Sequence, residues 1–397
     1  MLRKAGMQLR WRWLPVLACV LLGIVAVRNA AVSAYSLEQP DLAHQLWADH
    51  PAVSIQLAMV EVGKAAAANR APSNAVLRTV KHAAASSPLA IEPFLVESAV
   101  QLGRGQAANG ERLLAEVLRR DPRNLAARHL LADLYAREGR PAEALEQIAA
   151  IAQRLPEAHA SLAPAVARFS LQPGSTAAVR SVLSRNDDLR EKVLFELARD
   201  AVNTDLVLSL SGRAGSGRTS PRPWQSQLVA SLISAGEYRR ALDVWERFHG
   251  AQPRSGGLFN PQFTAKAPAP FNWRLAQEAE GVAEATGSGG VRLTSFGRTD
   301  VVLASQMILL SPGQWQLSYR VTGEQGESDR FHSVVRCLPG GEQVFRTALR
   351  HGHQRHGFKI PETDCKAQFL ELKATSGGLA RTVEVELDRL ALSRVDS

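Results

Sequence analysis

The hydrophobic pattern of this chain is most regular between residues 88 and 156, where the same pair of helices is predicted twice. In the second pair, Leu131 and Tyr135 lie on one face of a first helix, at the spacing of a helical period. Gly139 ends that helix and Pro141 opens the next, because a proline at a helix start removes no helical hydrogen bond. The second helix has an apolar stripe of its own, formed by Ala144, Ile148 and Ile151. Each copy is therefore predicted to be a helical hairpin.

The hairpins recur at a fixed interval. Prolines mark the interval at positions 34 residues apart, namely Pro88, Pro122 and Pro156. The unit that begins at Leu125 resembles a tetratricopeptide repeat position for position, with small Ala132 where the two helices approach closely. The preceding unit, from Ile91, keeps the pattern but has Glu97 and Ser98 at normally packed positions. An unrelated helical bundle with accidental periodicity is the alternative.

Further hairpins are predicted on both sides of this segment. A third good copy begins at Arg222 and has its turn at Gly236. Residues 157–221 have room for two more hairpins with a poor consensus. Residues 42–87 read as two helices, of which the first ends at His50-Pro51 and the second opens at Ala71-Pro72-Ser73. Together these segments predict an α-solenoid of tetratricopeptide-like hairpins.

The N-terminus combines positive charge with an apolar run. Four basic residues, Arg3, Lys4, Arg10 and Arg12, precede the uninterrupted apolar residues 14–27. This run is typical of a membrane anchor or of a signal-peptide core. Val32-Ser33-Ala34 resembles a cleavage site, but the next predicted helix, Leu37 to Trp47, follows with little spacer and favours an uncleaved anchor. The positive-inside rule then places the N-terminus in the cytoplasm and the bulk of the chain across the membrane.

The pattern changes to short alternating segments after residue 253. In the stretch 314–321, Trp315, Leu317 and Tyr319 alternate with polar residues, as in a half-buried strand. Further strands are predicted at Val301–Leu310, Ser333–Cys337, Gln368–Lys373 and Val383–Leu392. Several strands at short spacing predict a β-sandwich or jelly roll. The predicted fold class is therefore α + β and multidomain.

Motifs throughout this tail resemble the jelly-roll carbohydrate-binding modules. They are Leu258–Phe263, Pro270–Trp273, Pro312–Tyr319 and Leu387–Leu390. The resemblance implies sugar binding by exposed, flat indoles, for which Trp273 and Trp315 are the candidates. A core position is the alternative for both, and Trp315 favours it because Leu317 and Tyr319 share its face.

The cysteines bear on the cellular compartment. Cys337 and Cys365 both lie in the predicted sandwich. In an oxidising periplasm we expect them to form a disulfide that stabilises the domain by roughly 3–4 kcal/mol on loop-closure grounds. Two free buried thiols are the alternative. Cys19 lies inside the apolar anchor, where we expect it to be inert.

The first helix of each repeat is where a ligand surface is expected. The unit from Leu125 offers Ala126, His129, Asp133 and Ala136. The unit before it offers Glu92, Leu95, Ala99 and Leu102. Neither set contains the lysines and asparagines with which chaperone-binding repeats capture a peptide carboxylate. The candidate ligand residues are therefore Glu92, His129, Asp133 and Trp273, and the chemistry of the partner is not readable from them.

Two further motifs suggest other chemistry. Residues 212–219 match a phosphate-binding loop except that Arg218 replaces its lysine, and Pro221 and Pro223 fit the required helix start poorly, so a flexible loop is predicted. His351, His353 and His356 form a local cluster that would suit a metal, but no carboxylate or cysteine lies close in sequence to complete the set. An exposed polar loop is predicted there.

These observations predict a non-catalytic, membrane-anchored scaffold with no cofactor and no metal. Its net charge of +9 is scattered rather than clustered with aromatic residues, which disfavours a nucleic-acid partner. The predicted domains are a cytoplasmic N-terminus (1–13), a transmembrane anchor (14–35), the repeat array (36–254) and the β-sandwich (255–397). Proteins of this build resemble accessory factors of bacterial cell-surface polysaccharide synthesis or export.

That resemblance implies an inner-membrane protein whose bulk is periplasmic. Its expected partners are a membrane-associated protein, bound by the repeats, and a polysaccharide, bound by the sandwich. The first alternative is a structural assembly protein whose sandwich binds no sugar. The second is a hydrolase with a jelly-roll active site.

Overall fold

The computed structural model describes residues 5–36, 38–67, 72–212, 221–250, 254–323, 328–377 and 381–395. Within these ranges the chain forms fourteen α-helices followed by thirteen β-strands. It divides into two compact units, a first unit of residues 1–162 with 177–182 and a second unit of residues 163–176 with 183–397. The predicted domain boundaries at residues 13, 35 and 254 stay predictions.

The helices are α1 (Ala5–Tyr35), α2 (Pro40–Leu46), α3 (Pro51–Ala67), α4 (Asn74–Ser86), α5 (Glu92–Gly103), α6 (Ala107–Arg120), α7 (Leu125–Arg137), α8 (Pro141–Ala152), α9 (His159–Ser170), α10 (Thr176–Leu183), α11 (Asp187–Leu197), α12 (Thr204–Leu210), α13 (Pro223–Ser234) and α14 (Tyr238–His249). The strands are β1 (Arg254–Ser255), β2 (Leu258–Phe259), β3 (Arg274–Leu275), β4 (Gln277–Glu278), β5 (Gly281–Thr286), β6 (Gly290–Ser295), β7 (Val301–Ile308), β8 (Gly313–Gly323), β9 (Phe331–Pro339), β10 (Gln343–Ala348), β11 (Gly352–Ile360), β12 (Cys365–Ala374) and β13 (Val383–Arg394).

The three best repeat copies share one turn geometry. Each hairpin turn has a glycine with positive φ, namely Gly105, Gly139 and Gly236. The next residue donates its N–H to the carbonyl five residues earlier, at 2.8–2.9 Å, in the pairs Gln106 to Gln101, Arg140 to Tyr135 and Glu237 to Leu232. This is the helix-ending motif in which glycine is favoured because it has no Cβ to clash in the left-handed region. The predicted hairpins α5–α6, α7–α8 and α13–α14 are thereby confirmed as structural equivalents.

The less regular regions are also helical. Residues 157–221 contain α9 to α12, of which α10, α11 and α12 are shorter than the helices of the good copies. The prediction of two helices in residues 42–87 is wrong, since α2, α3 and α4 all include residues of this stretch. Pro51 opens α3 rather than ending a helix, because a proline suits the first position of a helix.

Helix α1 is longer than the apolar run that predicted it. Arg28 and Asn29 do not end it, and it continues to Tyr35. Residues Pro15–Tyr35 are long and apolar enough to cross a membrane by length and composition, a test that a signal sequence also passes. The last turns of α1 belong to the folded first unit, because Val32 is fully buried with Ala43 and Val53.

Two antiparallel sheets build the β-sandwich of the second unit. One has the strand order β10-β9-β12-β7-β3 and the other β11-β8-β13-β6-β5-β4. The alternation predicted for residues 314–321 is confirmed, since Trp315, Leu317 and Tyr319 all face the core. The other four predicted strands correspond to β7, β9, β12 and β13.

The last helical hairpin packs directly on the sandwich within the second unit. Trp245 of α14 is buried and donates its indole N–H to the carbonyl oxygen of Pro268, at 3.1 Å. Its ring meets Phe259 and Phe271 edge-on, with centroids 5.3 and 5.8 Å apart. Buried aromatic pairs of this geometry stabilise beyond their buried area alone. Helix α14 and the start of the sandwich therefore share one apolar core.

Candidate functional site

The exposed face of α7 is the clearest candidate for a binding surface. Ala126, His129, Asp133 and Ala136 are all exposed, as their spacing on the first helix of a repeat predicts. Asp133 accepts two hydrogen bonds from the guanidinium of Arg137, one turn further along the same helix. The face thus presents an imidazole and an ion pair between two small alanines, in a part of α7 that the hairpin core does not use.

The corresponding face of α5 is narrower than predicted. Glu92 is half-buried in the first turn of the helix, and Ala99 and Leu102 are also half-buried. Leu95 is buried, so its prediction as a surface residue is wrong. The reason is that α5 is packed on α3 and α4 as well as on α6, which covers more of its circumference.

A charged clasp holds α7 against the neighbouring helices, and sequence reasoning missed it. Both guanidinium Nη atoms of Arg140 donate to the Glu111 carboxylate of α6, at 2.9 and 3.1 Å. The same guanidinium lies over the ring of Tyr135, 4.3 Å from its centroid. The Tyr135 hydroxyl donates to Glu111 Oε1 at 3.0 Å, which closes a three-residue network.

The electrostatics of the clasp follow from these contacts. The hydrogen bonds from Arg140 hold the pKa of Glu111 below its ordinary value. Burial, followed by the bond to Glu111, raises the pKa of Tyr135 to about 12. Arg140 follows the turn glycine Gly139, so the turn that closes the hairpin also aims the guanidinium at α6. The residues at the equivalent position in the other copies are Gln106 and Glu237, so the sequence holds no recurring signal for this contact.

Both tryptophans that were candidate sugar platforms lie in the core. Trp273 is 7% exposed, stacks on Phe263 with ring centroids 4.8 Å apart, and donates its indole N–H to the carbonyl of Asn260. Its prediction as a ligand-surface residue is wrong, because a platform must present a free indole face. Trp315 is also buried and donates to the carbonyl of Ser311, which agrees with the core alternative.

The three histidines of residues 351–356 do not converge. Instead of the predicted polar loop, Gly352–Ile360 is strand β11, paired along its whole length with β8. Strand geometry places His353 and His356 on opposite faces, since they are three residues apart. His353 is exposed, whereas the ring of His356 stacks on Tyr319. Burial, and then the charge of Arg350, lower the pKa of His356. Among the described residues, no group of three metal-binding side chains occurs.

The outer face of the six-stranded sheet is the polar surface of the sandwich. Along one row, His353, Arg320 and Asp388 are direct cross-strand neighbours. Arg320 Nε donates to Asp388 Oδ1 at 2.8 Å, and a second bond joins the same two groups, so the guanidinium lowers the pKa of Asp388. In the next row, Arg355 lies beside the small Ser318. We call this surface the polar sheet face; it offers hydrogen-bonding groups but, in these rows, no Trp, Tyr or Phe ring.

Two remaining sequence features have defined positions. Cys337 and Cys365 form a disulfide between β9 and β12 of the five-stranded sheet.

The phosphate-loop match falls largely on residues 213–220, which lie outside the described residues. The segment before it, Leu206 to Leu208, is part of helix α12 rather than the strand that a phosphate-binding loop requires.

Residues 101–168 match the family model of the tetratricopeptide repeat. This segment is similar to tetratricopeptide repeats. The match starts in α5 and ends in α9, so it includes the complete α7–α8 hairpin and its exposed face. No curated protein matches the chain.

Several solved structures are similar to parts of the chain at low sequence identity. A family 4 carbohydrate-binding module has 17% identity, covers 35% of this chain and 99% of its own, and gives a TM-score of 0.27. A family 61 module solved with β-1,4-galactotriose has 15% identity, covers 36% and 100%, and scores 0.25. The accessory secretory proteins 1, 2 and 3 of Streptococcus pneumoniae give 9% identity, 30% and 89% coverage, and 0.23. The assignment of the β-sandwich rests on the two sheets of the chain itself.

Proposed function

We propose that this protein is a non-catalytic scaffold, anchored in a bacterial inner membrane by α1, that binds a membrane-associated protein through its tetratricopeptide repeats. The carrying observation is the face of α7, where four residues spaced three or four apart, Ala126, His129, Asp133 and Ala136, are exposed while the opposite face is buried. Repeat proteins use such unpacked faces as extended binding surfaces. His129, Asp133 and Arg137 give this face its polar contacts.

The bulk of the proposed scaffold, everything after α1, is placed in the periplasm. Four basic residues precede the apolar run, which favours a cytoplasmic N-terminus. The Cys337–Cys365 disulfide supports the same orientation, because disulfides persist in oxidising compartments and are rare in the cytosol. The two arguments are independent, since one concerns insertion and the other redox chemistry.

The sandwich is proposed to act first as a folded end of the array. Its support is the shared core around Trp245, which buries the apolar side of α14 that a further repeat would otherwise cover. The burial of Trp273 and Trp315 favours this structural role over sugar stacking.

Glycan binding by the polar sheet face is the second candidate. Arg320, Asp388 and Arg355 provide donors and acceptors for hydroxyl groups, which supports a role accessory to cell-surface polysaccharide synthesis or export. An affinity gel containing cell-surface polysaccharide should retard the full chain, and Arg355→Ala with Arg320→Ala should remove the retardation. Unchanged migration of the wild-type protein on a panel of such gels would count against glycan binding and favour the structural role of the sandwich.

The main proposal is tested by photo-crosslinking in native membranes followed by mass spectrometry. A photoreactive residue at position 129, on the exposed face of α7, should give a discrete adduct with a membrane protein. The matched control is position 146, where Glu146 is exposed on α8, the second helix of the same hairpin. Equal adducts at both positions, or none at 129, would count against the α7 face as the binding surface.

A further inference from the structure

Helix α2 runs antiparallel to the last two turns of α1. Arg28 Nε of α1 donates to the carbonyl of Leu46 at 2.8 Å, near the end of α2. Further along, Val32 packs with Ala43 in one buried cluster. At the other end, the Gln39 N–H donates to the carbonyl of Tyr35. Residues 28–35 of α1 and residues 39–46 therefore occupy the same level along the α1 axis.

The two polar residues that interrupt the apolar run are engaged by the folded chain. The Arg28 guanidinium lies over the Trp47 ring, 4.7 Å from its centroid. The Asn29 side-chain oxygen is 3.1 Å from His50 Nε2. These contacts divide α1 at Arg28 into an apolar stretch, residues 14–27, and a docked stretch, residues 28–35.

The lengths of the two stretches constrain their depth in a bilayer. Fourteen residues of helix span about 21 Å, which is less than the roughly 30 Å of a hydrocarbon core. The docked stretch adds about 12 Å. For α1 to cross the whole hydrocarbon core, the docked stretch must lie at the boundary of the bilayer. Helix α2, which packs beside it, must then lie there too.

Helix α2 carries the apolar side chains that such a position requires. Leu42 and Leu46 are each 37% exposed, and their spacing of four residues places them on the same face. Tyr35, the last residue of α1, is 42% exposed. Next to them on the same side of α2, Ala43 is buried against α1. The exposed apolar surface of α2 thus lies beside its contact with α1, while Asp41, His44 and Gln45 are exposed around the rest of the helix.

We propose that Tyr35, Leu42 and Leu46 form a membrane collar, inserted among the lipids on the side where α1 leaves the bilayer. The lipid bilayer is the occupant of this apolar face. The reason is that Leu46 lies level with Arg28, where the apolar residues 14–27 of α1 end. Trp47 over Arg28 suits the same boundary, where tryptophan and snorkelling arginine are favoured. The collar rests on the proposed anchoring by α1, and it adds that the repeats start at the lipid surface.

The test uses spin labels on the full-length protein reconstituted in vesicles of phosphatidylethanolamine and phosphatidylglycerol. The background variant is Cys19→Ala, which removes the free cysteine. Labels are placed at Leu42→Cys and Leu46→Cys, and the matched control is Leu89→Cys, an 88% exposed leucine outside α2. Collision rates with oxygen, which partitions into lipid, are compared with those of a water-soluble nickel chelate.

The collar predicts an oxygen-to-nickel ratio several-fold higher at positions 42 and 46 than at 89. Ratios equal to that at 89, in protein that still floats with the vesicles, would overturn the collar and leave the anchor intact. Strong spin–spin broadening at position 46 would instead assign the face to a second copy and also overturn it. Loss of flotation would refute the anchor itself, so the two failures are distinguishable.

Discussion

The indole N–H of Trp245 lies 3.1 Å from the carbonyl oxygen of Pro268, which joins the last repeat helix to the first residues of the sandwich. The ring of Trp245 is enclosed by Phe259 and Phe271 from the sandwich side. The end of the helical array and the β-domain therefore fold around the same side chain.

We expect Trp245→Ala to destabilise the second unit by about 3–5 kcal/mol, because it leaves a cavity where a large buried ring stood. Trp245→Phe should cost less, since it keeps most of the packing and loses one hydrogen bond worth about 1 kcal/mol. Urea unfolding of the detergent-solubilised protein measures both. Val202→Ala, at an exposed site, is the control. Equal stability of Trp245→Ala and this control would contradict the shared core.

The clasp predicts a pH dependence. The folded-state pKa of Glu111 is lowered by Arg140, so its contribution is present above the ordinary value of 4.5 and is lost as pH falls through the lowered value. Glu111→Gln should therefore flatten the decline in unfolding free energy as pH falls below about 4.5. Urea titrations across this range check it. Glu146→Gln removes one exposed carboxylate from α8, outside the clasp, and an identical flattening there would refute the assignment.

Removal of the disulfide should lower stability by roughly 3–4 kcal/mol on loop-closure grounds. The double variant Cys337→Ala with Cys365→Ala shows the loss in urea unfolding, and added reductant should change the wild type but not the variant. Alkylation of intact cells with a thiol reagent adds the compartment test. A free, reactive pair at positions 337 and 365 would contradict the periplasmic orientation.

The buried position of Val32 predicts that the anchor is retained. Cleavage after residue 34 would remove Val32 from its cluster with Ala43 and Val53, and would also remove the Arg28 contact to Trp47. Intact-mass measurement of the protein extracted from membranes should therefore give the uncleaved chain. A mass that lacks the first 34 residues would show that α1 is a signal sequence.

The α7 face predicts a separation of binding from stability. His129→Ala with Asp133→Ala should change unfolding free energy by less than about 0.5 kcal/mol, because both side chains are exposed. The same double variant should reduce recovery of the co-purified partner. Full recovery of the partner would place the binding surface elsewhere.

Interactions between residues close in sequence were sufficient to predict the repeats and five of the strands. A turn glycine, a helix-opening proline and apolar positions at helical spacing specify each hairpin within about thirty residues, as Gly139 and Pro141 illustrate. Strand β8 was equally visible, because alternation of apolar and polar residues is itself local. Strand β11 was missed, since its histidines, arginine and glycines show no such alternation and it becomes a strand by pairing with β8.

Tertiary structure decided which side chains remain available. Trp273 has the chemistry of a sugar platform, yet a partner ten residues away in sequence, Phe263, covers its ring. Arg28 seemed to interrupt an anchor, and only its contact with Trp47 shows how a charge is accommodated at that position. The sequence by itself determined the helical repeats, the apolar N-terminal run and the β-rich tail, because each depends on neighbours a few residues apart. Burial, the Arg140 clasp and the shared core at Trp245 were decided by the fold, because they depend on residues that only folding brings together.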